Sequence, residues 1–234
     1  MPALAEPPSA APPGSAASPR LDLPGGRFVL ADVDWDVYEK LADGAGNEHL
    51  RFTYDATTGE LEVEMPQGYW HESVAERIGL LIAAFARERK LRTAACGSVT
   101  LRRRRRGGVD GDKSYYVSNF DRRPPPGAML PNLAAGQEPP SLVVEVDVTN
   151  PGVEKLPIYA RLGVPEVWVW EEGELTCRRL TDAGEYAVTA DSGELPGFPL
   201  AFAAGLLRDR TDASDQDVEE AFVAHLRASS SPAG

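Results

Sequence analysis

Residues 141–170 read SLVVEVDVTNPGVEKLPIYARLGVPEVWVW, an apolar run that carries two acids, Glu145 and Asp147, and then gives way to a segment bearing Lys155. A continuous Val/Leu stretch of this length predicts a central strand. Ionised carboxylates are almost never fully buried unless they are paired or bind a metal. Alternation along residues 142–148 sets Glu145 and Asp147 on one face, with Leu142, Val144, Val146 and Val148 on the other. The same period over residues 109–117 sets Asp110, Asp112 and Ser114 on one face. If the two strands are neighbours, about 4.8 Å apart, Asp112 and Glu145 can share one hard divalent cation. Oxygen ligands in a partly aqueous octahedral shell fit Mg²⁺ or Mn²⁺ rather than zinc. Such an ion activates water and neutralises charge developing on a phosphodiester. Lys155, at the start of the following helix, could orient the nucleophile or stabilise the pentavalent oxygens as a point charge. Asp147 could hold a second ion, bind water or cap the next loop, and Asp110 is expected to be solvated. The alternative for Glu145 is a structural acid in a paired network; for Lys155 it is a solvated surface lysine.

The elements that must position these groups are legible in the spacing. Residues 1–25 form an Ala/Pro/Ser tract with too few large apolar side chains to offset its ordering entropy, so a disordered tail is expected. One domain should occupy residues 26–228, followed by a short disordered end at residues 229–234. Residues 34–41 predict a short helix with Trp35, Tyr38 and Leu41 on one side. Residues 51–54 and 60–65 predict a hairpin whose outer residues are mostly charged. In residues 69–90, Val74, Ile78, Leu81, Ile82 and Phe85 make one apolar helical stripe. About 100° per residue turns His71 towards that stripe and Glu72 away from it. Strands are expected over residues 92–103 and 109–118, and a long Pro/Gly-rich connection over residues 121–140. Pro157 and Gly163 bracket a short helix. Residues 166–170 and 174–180 predict a hairpin around Gly173, with Trp168 and Trp170 on one face as core or interface packing. Residues 215–227 predict a closing helix with Val218, Phe222 and Leu226 inward. Mixed strands and helices in this order indicate an α/β (α+β) layer domain.

Composition narrows the function. A formal net charge of -12 argues against a general polyanion-binding surface, so any nucleic-acid contact must be local. Arg102 to Arg106 could track a phosphate backbone, or could blunt an exposed sheet edge. Cys96 and Cys177 sit in no metal or redox spacing, and no apolar segment reaches bilayer length, which predicts free thiols in a soluble, cytoplasmic protein. The sequence has no phosphate loop, dinucleotide turn, nucleophile elbow or zinc spacing, which leaves NTP hydrolysis, hydride transfer and serine hydrolysis without support.

Over roughly residues 28–222 the chain resembles the Uma-two family of the PD-(D/E)XK nuclease superfamily. The resemblance rests on VDGD ahead of KSYYVSN, on the 142–170 segment, on the YDATTGELEVEMP hairpin and on HESVAERIGLL opening the long helix. It implies a restriction endonuclease-like core, a central mixed sheet flanked by helices with an N-terminal hairpin and a C-terminal helix. It implies that Asp112 and Glu145 are metal ligands, and the expected activity is that of a Mg²⁺- or Mn²⁺-dependent endonuclease acting on DNA; a homodimer is expected as well. Lys155 would be a displaced catalytic lysine, and His71 would lie at the edge of the site. Two departures stand out. Asp147 occupies the position of the usual lysine of ExK, and Gly111 replaces the proline that often precedes the first aspartate. The rival expectations are a nuclease-derived binding or assembly module without turnover, and a structural homodimer suggested by the acidic surface and paired tryptophans.

Overall fold

The computed structural model describes residues 26–147 and 153–230. From the N-terminus, β1 (Arg27–Leu30) leads into α1 (Trp35–Ala42), then the hairpin of β2 (Arg51–Asp55) and β3 (Glu60–Glu64). The hairpin turn closes on Gly59 at φ +72, and Asp55 accepts the Thr57 N–H. The long helix α2 (Tyr69–Arg89) follows and stops where Lys90 turns left-handed at φ 55. Next come β4 (Ala94–Ala95), β5 (Thr100–Arg103), β6 (Gly107–Asp110), β7 (Lys113–Tyr116) and β8 (Leu142–Asp147). Helix α3 (Lys155–Leu162), ended by Gly163 in the left-handed region, crosses to β9 (Glu166–Glu171). The chain finishes with β10 (Glu174–Leu180), β11 (Tyr186–Thr189), α4 (Leu200–Asp209) and α5 (Asp215–Ser230).

Two sheets result. One has the order β1-β3-β2-β6-β5, with antiparallel pairs throughout. The other has the order β11-β10-β9-β8-β7-β4 and, among the described residues, contains a single parallel pair, β8 with β9, which is the pair that needs the α3 crossover. The predicted stripe of α2 is buried and packs with α4 and α5 on one face of the six-stranded sheet, against Leu142, Val144, Val146, Trp168 and Trp170. Each fully buried Leu or Ile there contributes about 1.5–3 kcal/mol. A second apolar cluster fills the space between the sheets. It joins Leu101 and Val109 of one sheet, Val143 and Val167 of the other, and Ile158, Tyr159 and Leu162 of α3. Helix α1 closes a third cluster, in which Tyr38 stacks on Tyr54 with ring centroids 5.0 Å apart.

Two expectations need correction. The strands expected over residues 92–103 and 109–118 each break in two, and the pieces belong to different sheets. β5 and β6 pair in one sheet, β4 and β7 in the other. Sheets that meet at a corner bend their strands at such breaks, and here Gly111, lacking a side chain, occupies the bend. A Cβ there would lie 2.9 Å from Val143 Cγ1 and 3.0 Å from the Tyr159 hydroxyl. The hairpin charges are not outer residues either: Glu62 and Glu64 are each 1% exposed. Their face of β3 is turned towards the space between the sheets, while Leu61 and Val63 pack under α1. The expected strand residue Val148 lies outside the described residues.

Candidate active site

Because β6 passes directly into β7 across the corner, Asp112 sits at the junction of the two sheets. Lys113 pairs with Val144, so the next step of that antiparallel register sets Asp112 opposite Glu145. Asp112 is buried. Its Oδ2 accepts the Val146 backbone N–H at 2.7 Å and lies 3.3 Å from His71 Nε2; its Oδ1 accepts from Arg51. Glu145 is buried with its two oxygens divided: Oε1 accepts the Tyr159 hydroxyl, and Oε2 accepts from Lys155 Nζ at 3.0 Å. Lys155 Nζ also stands 3.5 Å from Glu64 Oε2. Arg27 completes the cluster, 2.9 Å from Glu64 and 3.3 Å from Glu62, whose other oxygen accepts the Val153 N–H at 2.8 Å. Alongside runs a cavity of about 300 Å³ lined by Arg27, Glu62, Glu145, Lys155, Glu171 and Arg178.

The structure thus brings together four of the expected site residues, Asp112, Glu145, Lys155 and His71. The side chain of Asp147, the last residue of β8, lies outside the described residues. Asp110 corrects the expectation of a solvated acid: it is buried and accepts the Phe52 backbone N–H at 3.0 Å. Sequence reasoning missed Arg51, Glu62, Glu64, Arg27 and Tyr159. For Tyr159 a signal existed, since it lies four residues beyond Lys155 and therefore on the same helical face. For Glu62 and Glu64 none did, because alternating acids on a hairpin look the same whether the face is wet or covered.

Electrostatics follow from this crowding. Burial pushes the Glu145 carboxyl up to about 7, with Asp112 adding to the rise, while Lys155 and the Tyr159 hydroxyl pull the other way. One ammonium is shared among Glu145, Glu64 and Asp112, which is why it does not fully ionise Glu145. Burial lowers the proton affinity of Lys155, but those same carboxylates outweigh it and hold the pKa above the usual lysine range. Burial opposes the ionisation of Asp112 too. The His71 hydrogen bond and the charges of Lys155, His71 and Arg51 override it and keep the group well below the usual carboxylate range. His71 is desolvated yet shifted upward by Asp112.

The donors suit a hard divalent cation. Five carboxyl groups (Glu62, Glu64, Asp110, Asp112, Glu145) face three fixed cations (Arg27, Arg51, Lys155), leaving two negative charges when all are ionised. Among the described residues, the Glu64 oxygens, though within ion-pair distance of Arg27 and Lys155, have no hydrogen bond of good geometry, and Asp110 Oδ1 has none. No ready-made cage of three or more His, Cys, Asp or Glu side chains stands among the described residues. Mg²⁺ does not need one, since it keeps several waters and takes one or two carboxylates beside substrate phosphates.

A parallel βαβ unit within a mixed sheet, with paired acids where a second sheet joins it, defines a restriction endonuclease-like fold. Residues 35–207 match the Uma2 family model, described as "Putative restriction endonuclease", and the chain belongs to that family. No curated protein matches it. Among the described residues, no helix is long and apolar enough to cross a membrane.

Proposed function

We propose that this protein is a metal-dependent endonuclease that hydrolyses phosphodiester bonds in DNA. The observation that carries the proposal is the pairing of buried Asp112 and Glu145 across neighbouring strands with Lys155 3.0 Å from Glu145. Asp112 and Glu145 would hold Mg²⁺ or Mn²⁺, which when bound supplies charge to the scissile phosphate and lowers the pKa of coordinated water. Lys155 is held protonated, so it serves as a hydrogen-bond donor and point charge towards anionic oxygens and not as a base. His71, donating to Asp112 from the first turn of α2, is a positioning residue. Asp147 remains a candidate ligand for a second ion. We further propose that the protein is cytoplasmic and works as a homodimer.

One observation favours a second possibility, a nuclease-fold module that binds without turnover. Each of the two carboxylates is already neutralised by a protein cation, Asp112 by Arg51 and Glu145 by Lys155. Plasmid nicking by the purified protein with Mg²⁺ or Mn²⁺ separates them. Nicking that disappears in Glu145→Gln supports the endonuclease, and nicking that survives the substitution refutes this site. DNA binding with no nicking under either metal selects the module.

A further inference from the structure

The five-arginine run resolves into two kinds of arginine. Arg102 pairs with Asp43 at 2.9 Å and Arg104 with Asp36 at 2.9 Å, both towards α1. Arg106 and Arg161 clamp each other through their main chains: Arg106 Nη1 donates to the Arg161 carbonyl at 2.6 Å, and Arg161 Nε donates to the Arg106 carbonyl at 2.9 Å. Arg161 in turn donates to Asp55 at 2.6 Å. Arg103 and Arg105 are exposed and have no anionic partner among the described residues, in a chain with 36 acidic side chains against 24 basic ones. Arg103 closes the β5–β6 ladder opposite Gly107 on the outermost strand of its sheet, where a charge also discourages edge pairing. Arg105 guards no edge. It lies in the turn at φ 66, a left-handed conformation that favours glycine.

We propose that this hairpin tip, through Arg103 and Arg105, is a docking site for the phosphodiester backbone of duplex DNA, an inference that rests on the endonuclease function proposed above. Guanidinium groups presented on a rigid turn suit phosphate oxygens, which accept two parallel N–H bonds. The clamp to Arg161 makes the tip rigid and ties it to the helix that supplies Lys155. Six residues of helix separate Arg161 from Lys155, about 9 Å. The tip is thereby tied to the end of α3 opposite the one that carries Lys155. The overall negative charge keeps other faces from competing, so that attraction is local.

Anisotropy of a labelled 30-base-pair duplex with the full-length protein in EDTA, between 50 and 300 mM KCl, reads binding apart from cleavage. Two lost phosphate contacts in Arg103→Ser/Arg105→Ser should make the slope of log K against log salt shallower by about 1.8 and weaken binding about 60-fold at 0.1 M salt. Arg208→Ser/Arg227→Ser removes the same charge from remote α4 and α5 and should leave the slope unchanged. Equal slopes for wild type and the hairpin variant overturn the docking site, as does an equal fall in both double variants. Glu145→Gln keeps the two questions apart: it should stop nicking while binding with the wild-type slope. Nicking by that variant would defeat the assignment of the catalytic site and leave the hairpin result standing. A wild-type protein that does not bind duplex at 50 mM salt defeats both.

Discussion

Lys155 Nζ stands 3.0 Å from Glu145 Oε2, although ten residues separate the two in sequence. In an ExK motif the lysine would sit two residues past the glutamate, where this chain has Asp147. Helix α3 returns an ammonium to the same carboxylate from the other end of the connection. The strand position is thereby free to carry an acid.

Removing the ammonium alone should be costly. Lys155→Met leaves Glu145 and Glu64 without their shared counter-charge, a loss of about 3–5 kcal/mol for a buried pair broken on one side. Lys155→Met/Glu145→Gln should recover part of it. Urea unfolding of the two singles and the double gives the coupling, and strictly additive losses would show that the pair is not energetically joined.

Gly111 tests the corner. Gly111→Ala sets a Cβ against Val143 Cγ1 and the Tyr159 hydroxyl, at 2.9 and 3.0 Å. Overpacking of this kind costs about 1–3 kcal/mol. Because the displaced hydroxyl is the one that holds Glu145 Oε1, nicking should fall by more than the stability loss explains. A variant as active as wild type would place the strain elsewhere.

The pH dependence has a definite sign. A carboxyl raised to about 7 in the folded state contributes stability that is fully present below about 4.5 and is lost as pH rises through 7. Binding of a cation needs the ionised form, so ion affinity should strengthen with pH up to about 7 and then level off. Calorimetric Mn²⁺ titrations in buffers of different ionisation enthalpy should record close to one proton released per ion at pH 6 and almost none at pH 8. Proton release that does not change with pH would contradict the raised carboxyl.

Arg51 occupies one oxygen of Asp112 and should compete with any cation for it. Arg51→Gln is expected to tighten Mn²⁺ binding by about tenfold, on the order of 1.4 kcal/mol, whereas Asp112→Asn should abolish it. Weaker binding in Arg51→Gln would mean that the guanidinium positions Asp112 as a ligand.

The repeating chemistry of single elements was readable in the sequence. The α2 stripe, the inward turn of His71, the opposite faces of Glu145 and Val144, and the stop of α3 at Gly163 all follow from local periodicity and capping. What depends on two distant segments was not. A period of two across residues 109–117 cannot reveal that the chain changes sheets at Gly111. Nor can it distinguish the buried Asp110, which accepts a bond from Phe52, from a solvated one. Glu62 and Glu64 are covered because distant segments meet on their face of β3: Arg27 of the neighbouring β1 reaches both, the Val153 N–H reaches Glu62 and Lys155 reaches Glu64. The arginine run divided into paired and unpaired members only once α1 and α3 were in place beside it.

The crossing at Gly111 gives Asp112 two foundations. Its backbone is the strap between the slabs, its side chain is anchored to the Val146 amide in one, and Arg51 reaches it from the other. A partly folded copy that has lost either slab therefore cannot bring these groups together, and the nuclease proposed here would be disarmed until the last of its architecture has formed.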